Sequence, residues 1–199
     1  MRVIGGVARG RRLVAPELAS VRPTSDRARE AIFDVLSHLD AVRGAAVLDL
    51  FAGSGALGIE ALSRGAASVT FVDSDRRVSE VIRANLASAR LGAGRADPSE
   101  EVGSSSIHTS EALAFCRAAS RRFDLALCDP PYAFAAWAEL LAVIPARLVV
   151  LESSRPIELT EAFDLHREYR YGTTLVTVAT RREADLREGI GADGDGGGR

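Results

Sequence analysis

The chain contains no lysine: all 25 basic side chains among its 199 residues are arginine, a bias that genome composition can produce without selection for phosphate binding. It also has no apolar run near the ~20 residues needed to cross a bilayer, and its beginning lacks the apolar core of a signal peptide. Both absences point to a cytoplasmic protein with no membrane partner. Cysteine is scarce. Cys116 and Cys128 are the only two, one of them inside an apolar strand-like run, and they read as small core residues, not as a disulfide frame or a metal site. His38, His108 and His166 stand in no motif and read as structural or exposed. No segment repeats.

What is present fits one well-buried α/β domain with a small appendage. Hydrophobic residues make up 47% of the chain and charged residues 26%, within the globular range. The net charge of -2 does not announce a nucleic-acid binder, but its distribution is uneven. Arg2, Arg9, Arg11, Arg12, Arg22, Arg27 and Arg29 crowd the start, where Glu17 and Asp26 are the only acids before Glu30. Solvated surface decoration and phosphate contact both account for such a run.

The stretch from Val47 to Gly58 organises the rest. Ala45 to Leu50 is an apolar run too short for a helix and suited to a strand buried on both faces; Gly53 and Gly55 then punctuate the chain before a helical pattern opens near Ala56. Glycines at this point let backbone approach a ligand closely, and the helix start favours a carboxylate or phosphate. Gly53 to Gly58 spells G-x-G-x-x-G, and Asp73 lies at about the ~20-residue distance that suits a ribose hydroxyl. Asp49 changes the reading. A carboxylate at the strand's end repels a pyrophosphate and attracts an ammonium, directly or through water. A ligand with a ribose, a carboxylate and an amine but no phosphate is S-adenosylmethionine.

Taken in order, Arg2 to Ile4 and Arg11 to Val14 can pair across Gly5, Gly6 and Gly10 as an N-terminal hairpin, residues 1–22 forming an extension. Pro23 sets an entry, Thr24 or Ser25 can cap, and Ala28, Ile32, Val35, Leu36 and Leu39 recur at helical spacing. Strands and helices then alternate: helix Leu57 to Arg64, strand Ser68 to Asp73, helix Asp75 to Leu91, strand Ser106 to Thr109, helix Glu111 to Ala119, strand Phe123 to Asp129, helix Phe134 to Val143, strand Leu148 to Glu152. Such alternation predicts a mostly parallel sheet with helices on both faces. Gly92 to Ser105 reads as a flexible polar loop. Phe163 to Tyr171 and Thr174 to Thr180 meet at Gly172, so the sheet should finish in an antiparallel hairpin. Residues 183–199 read as a frayed tail beyond a domain spanning 23–182.

Cys128-Asp129-Pro130-Pro131-Tyr132 follows the strand from Phe123 directly, and ligand sites in open parallel sheets lie outside the strands' carboxyl ends. The two prolines remove donors and stiffen the loop, leaving carbonyl oxygens as acceptors. Asp129 and the Pro130 carbonyl can accept both hydrogens of an exocyclic amine. Tyr132 offers a flat face for a base, a contact worth about 1–3 kcal/mol in single-strand recognition.

Asp49 to Gly58, Asp73 and Asp129 to Tyr132 resemble the cofactor and amino-methylation motifs of class I S-adenosylmethionine-dependent methyltransferases. Arg2-Val-Ile-Gly-Gly6, Gly10-Arg-Arg-Leu13 and Arg22-Pro-Thr-Ser-Asp-Arg27, with Arg29, Glu30 and Phe33, resemble the bacterial RsmD family, guanine-N2 methyltransferases of small-subunit ribosomal RNA. The resemblance covers roughly Arg2 to Thr180 and implies a Rossmann-like sheet of about seven strands with a reversed last hairpin. It implies S-adenosylmethionine held by Asp49, Phe51, Ala52, Gly53, Ser54, Gly55, Gly58, Asp73 and Ser74, with Glu111 where such enzymes often carry an Asp for the adenine amine. It further implies a flipped-out guanine of 16S rRNA, in the assembled small subunit, over Asp129, Pro130, Pro131 and Tyr132. Arg9, Arg11, Arg12, Arg22 and Arg27 are then the candidate RNA contacts. Nothing requires a metal, a covalent nucleophile or more than a monomer.

Two other functions use some of the same residues. A nicotinamide-dependent oxidoreductase would use Gly53 to Gly58 and Asp73 but leaves Asp49 and Asp129 to Tyr132 without a role. A noncatalytic RNA-binding module would use the arginines alone.

Overall fold

The structure, a computed structural model, describes residues 1–15, 26–91 and 103–182. Arg22, Pro23, the expected cap at Thr24 or Ser25, most of the expected loop and the expected tail lie outside the described residues. The elements run in chain order as α1 (Asp26–His38), β1 (Ala46–Leu50), α2 (Ala56–Ser63), β2 (Ser68–Asp73), α3 (Arg76–Ala89) and β3 (Ser104–Thr109). They continue as α4 (Ala112–Ala118), β4 (Phe123–Cys128), α5 (Trp137–Val143), β5 (Ala146–Ser153), β6 (Phe163–Tyr171) and β7 (Thr174–Arg181). The seven strands form one sheet in the order β3-β2-β1-β4-β5-β7-β6. The first five pair in parallel, and β7 runs antiparallel to both β5 and β6, which gives the expected reversed hairpin around Gly172.

The strand alternation of two divides the core into two layers. Val47, Leu125, Leu127 and Val150 pack on one face with residues of α1, α2 and α3, including Ile32, Phe33, Leu62 and Ile82. Leu48, Leu50, Ala126, Cys128, Val149 and Leu151 pack on the other with Cys116 of α4 and Leu140 and Leu141 of α5. Both cysteines are free, buried thiols of this second layer, and burial pushes Cys116 up to about 12. No helix among the described residues is long and apolar enough to cross a membrane.

Some element boundaries differ from the expected ones for local reasons. The helix expected from Phe134 starts at Trp137, because the Phe134 N–H closes a turn onto the Pro131 carbonyl (2.8 Å) and the chain reaches helical geometry only after Ala136. The fifth strand starts at Ala146, two residues early, because Ala146 pairs with Phe123. β3 likewise starts at Ser104, in register with Ser68. The N-terminal hairpin has only one ladder bridge, Arg2 to Arg12, supported by Val3 N–H to the Arg11 carbonyl (2.9 Å) and Gly10 N–H to the Val3 carbonyl (2.9 Å). It stops short because the next amides have a better acceptor. Glu60 of α2, fully buried, receives the Ile4 and Gly5 N–H groups at 2.7 Å each and the Arg64 guanidinium at 2.7 Å.

The rest of the arm is clamped in the same way. The Ser63 hydroxyl accepts from Ala8 N–H and donates to the Gly5 carbonyl; Asn85 of α3 accepts from Val14 N–H and donates to the Val14 carbonyl. Val3, Ala8 and Leu13 are buried between these bonds. Truncating Glu60 therefore strands two amides and a partly buried guanidinium. Glu60→Ala is expected to destabilise the protein by about 3–5 kcal/mol in urea unfolding. A loss under about 1 kcal/mol, the range of an exposed ion pair, would mean that the arm is held elsewhere.

Candidate active site

The carboxyl ends of β1, β2, β4 and β5 open into one cavity of about 1200 Å³. That exceeds the usual range for a single small ligand, about 300–1,000 Å³. Its walls are Phe51 to Ser54 after β1, Asp73 to Asp75 after β2, Asp129 to Ala135 after β4, Glu152 to Pro156 at the end of β5 and Tyr171 to Thr174 at the hairpin turn. Met1 and Arg29 close it from the arm and α1.

The loop after β1 is shaped by two steric facts. Gly55 takes φ 74°, a left-handed conformation that starts α2, while a Cβ on Gly58 would sit 2.4 Å from Phe71 and 2.9 Å from the Asp49 carboxylate. The helix can lie this close to β1 and β2 only over glycine. Phe51, at φ 58°, is a non-glycine residue in the left-handed region, and such strain concentrates at binding sites. Its ring meets Phe134 edge-on at 5.1 Å, and Phe134 meets Trp137 at 5.0 Å, forming an aromatic wall.

Asp49 is 1% exposed and points to the face of α2, where its carboxylate accepts the Gly58 N–H at 2.9 Å. Burial pushes its pKa well above the usual carboxylate range; the Gly58 amide opposes this, and the charges of Asp129 and Asp73 add to it. Asp73 accepts the Gly53 N–H at 2.9 Å with one oxygen and the Asp75 N–H at 2.9 Å with the other. The Gly55 N–H bonds the Ala52 carbonyl at 2.7 Å. Three amides of the glycine-rich segment are thus committed within the protein.

The cavity brings together Asp49, Phe51, Ala52, Gly53, Ser54, Asp73, Ser74, Asp129, Pro130, Pro131 and Tyr132. Tyr132 stands at the rim, 56% exposed. Gly55 and Gly58 act behind the wall through packing, and Glu111 is an exposed N-cap of α4 that does not line the cavity. Arg9, Arg11 and Arg12 are exposed on the arm and Arg27 on α1, all outside the cavity. Arg22 lies outside the described residues. The three histidines do not line the cavity either.

Sequence reasoning missed Arg29 and Glu152. Arg29 is 1% exposed; its guanidinium donates to the Arg2 carbonyl (2.6 Å), Asp26 (2.8 Å) and the Met1 sulfur (3.6 Å), so it ties the arm to α1 at the cavity wall. The sequence placed Arg29 in the basic run and in the family-like block, but neither assigned it to the cavity wall. Glu152 is 4% exposed and did carry one: an acid closing the apolar run Leu148 to Leu151, the same pattern that singled out Asp49.

Residues 1–180 match the family described as "Conserved hypothetical protein 95". The chain is 39% identical over 132 residues to the Ribosomal RNA small subunit methyltransferase D of Escherichia coli (strain K12), a match covering 66% of this chain and 60% of that protein. It is 35% identical over 196 residues to YlbH of Bacillus subtilis (strain 168), provisionally named an rRNA methyltransferase, covering 92% of this chain and all of that one (100%). Among solved structures, Escherichia coli yhhF, provisionally named a methyltransferase, superimposes with a TM-score of 0.75 at 34% identity over 91% of this chain and 97% of that one. The sheet order with its reversed β7 is the class I methyltransferase fold.

The raised pKa of Asp49 has a consequence for stability. A carboxyl held above its unfolded value binds protons more readily when folded, so it favours the fold as pH falls through the folded pKa toward the unfolded one and penalises it above. Asp49→Asn removes that penalty and keeps an acceptor for Gly58. The variant is expected to melt higher than the parent at neutral pH, by a gap that closes on acidification; a lower melting point at neutral pH would contradict the assignment.

Proposed function

The chain belongs to the family described as "Conserved hypothetical protein 95", and from that membership and the cavity's chemistry we propose that it methylates the exocyclic N2 amine of a guanine in 16S rRNA, in the assembled small subunit, using S-adenosylmethionine. The observation that carries this reading is the shared cavity of Asp129-Pro-Pro-Tyr132 and the loop anchored by buried Asp49.

The residues suit the cofactor's parts. Asp49 offers a desolvated negative charge to an ammonium, Asp73 has carboxylate lone pairs left for ribose hydroxyls, and the α2 N-terminus at Ala56 and Leu57 favours a carboxylate. A nicotinamide dinucleotide suits them less well, because the Gly53, Gly55 and Gly58 amides that would cradle a pyrophosphate are already bonded and Asp49 repels it. When bound, S-adenosylmethionine supplies a methyl group on a sulfonium.

The amine of guanine donates its lone pair into the ring and is a poor nucleophile. Asp129 and the Pro130 carbonyl, accepting its two hydrogens, draw the nitrogen out of conjugation, while Tyr132 stacks on the base. The nitrogen lone pair forms the new N–C bond, the sulfur keeps the electrons of the broken S–C bond, and one N–H proton leaves toward Asp129 and solvent. Positioning the amine in line with the methyl supplies much of the rate. Arg9, Arg11, Arg12 and Arg27, exposed outside the cavity, and Arg22 contact RNA phosphates in this reading.

Asp129→Ala is expected to lower labelled methyl transfer to small subunits by about 10²–10³ with cofactor affinity nearly unchanged, because the lost acceptor acts chiefly in the transition state. Asp49→Asn should instead weaken cofactor binding by about 10–100-fold, the worth of a charged hydrogen bond. Loss of S-adenosylmethionine binding in a folded Asp129→Ala protein would refute the assigned role. For the arm, neutralising Arg9, Arg11 or Arg12 singly should weaken RNA binding and reduce the salt slope by roughly 0.7–0.9 per contact. An unchanged slope would return these arginines to surface decoration.

A further inference from the structure

We propose that Glu152 is the specificity-determining residue that reads the N1–H of guanine, and so selects guanine over every other base carrying an exocyclic amine. The proposal rests on the amine-methylating reading above and goes beyond it, since an Asp-Pro-Pro-Tyr turn recognises an amine without regard to the ring that bears it. Guanine N2, adenine N6 and cytosine N4 all present two N–H donors.

They differ in the neighbouring ring atom. Beside its amine guanine carries N1–H, a donor; adenine N1 and cytosine N3 are acceptors. A group next to Asp129 that only accepts would pair with guanine and repel the other two. An ionised carboxylate is such a group.

Glu152 stands where this is required. Cys128, the last residue of β4, pairs in register with Leu151 of β5, strands that lie about 4.7–4.9 Å apart, so Asp129, the first residue past β4, and Glu152 of β5 follow side by side at the same end of the sheet. Alternation along β5 sends Leu151 into the α4 and α5 layer and Val150 into the opposite one, so Glu152 shares the α1 side of the sheet with Val150 and its β7 partner Val176. Asp49 lies on that same side, bonded to α2. The Glu152 side chain is 4% exposed and lines the cavity. It also has a partner within the protein, and a carboxylate with two oxygens and about four lone pairs can hold one partner while accepting from another. The burial of Glu152 sharpens the discrimination, because an acceptor set against a buried acceptor leaves both without a partner.

The test uses 2-aminopurine, which keeps the C2 amine but has an unprotonated N1. Small subunits are reconstituted with RNA bearing guanine or 2-aminopurine at the position the parent enzyme methylates, and kcat/KM for labelled methyl transfer is measured for each. The parent is expected to favour guanine by about 10²-fold or more. Glu152→Gln, whose amide can accept from N1–H or turn its NH₂ toward an unprotonated N1, should lose on guanine and gain on 2-aminopurine, compressing the ratio at least tenfold. Glu152→Ala should lower guanine transfer while leaving 2-aminopurine transfer within a few-fold. A structural role for Glu152 predicts that both substrates fall together and the ratio holds; that result, in variants with parental circular dichroism and cofactor binding, would overturn the proposal. Failure of the parent enzyme to methylate any guanine would overturn the amine-methylating reading and this proposal with it.

Discussion

The hydrogen bond between the Asp49 carboxylate and the Gly58 amide sets the terms for everything around it. A carboxylate that is 1% exposed carries a large desolvation penalty, and one amide offsets only part of it. The remaining negative charge sits beside Asp73 and Asp129, which raise the penalty further. A positive charge brought beside these three carboxylates would offset the repulsion among them. The same bond restricts residue 58 of α2 to glycine. The helix must approach β1 closely enough for its amide to reach Asp49, and at that distance a Cβ on residue 58 has no room.

The second constraint comes from the arm, whose chain direction is set by acceptors on α2 and α3 more than by its own ladder. Glu60, Ser63, Asn85 and Ser88 each take or give a bond to arm backbone, and Val3, Ala8 and Leu13 are buried beneath. These bonds bring Met1 to the cavity wall, within 3.6 Å of both the Ser54 hydroxyl and the Arg29 guanidinium. The segment read from sequence as an appendage therefore builds part of the site. A change in how it is held reaches the loop after β1 at Ser54, through Met1 and through Asn85, which bonds both Val14 and the Ser54 carbonyl.

The mostly parallel sheet, the reversed hairpin and the two loops facing one crevice were legible because each leaves a local pattern: alternation of apolar runs, glycines after a strand, prolines after a strand. Asp49 was legible as a charge interrupting an apolar strand. Glu152 has the same pattern, but its strand is followed by no punctuated motif, so nothing drew attention to the acid at its end. Arg29 was hidden for the opposite reason. Burial of one arginine among seven is decided by the packing of α1 against the arm, which no spacing rule reports. Glu111 came from the family resemblance alone, and the structure places it as the exposed N-cap of α4, off the cavity wall. The short ladder of the hairpin could not be read either, because the competing acceptor Glu60 is more than fifty residues away.

The distribution of charge then limits how a nucleic acid can meet this molecule. Asp49, Asp73, Asp75, Asp129 and Glu152 line the cavity against Arg29, Arg77 and Arg155, the first two of these arginines paired with Asp26 and Asp75, whereas Arg9, Arg11, Arg12 and Arg27 are exposed outside it. Phosphates are repelled by the acids and attracted to the exposed arginines, and the repulsion is least screened at the buried carboxylates Asp49 and Glu152. Under the proposed reading, a backbone would be kept at the surface while a neutral base would remain free to enter. The base must leave its stack to do so, which costs a few kcal/mol and is cheapest in single-stranded or distorted RNA. Tyr132 at the rim and the Phe51, Phe134 and Trp137 wall offer aromatic surface in exchange for the lost stacking. In the same reading, the acids that would hold a cationic cofactor would also repel the polyanion that carries the substrate, so one arrangement of charge would admit the base and refuse its backbone.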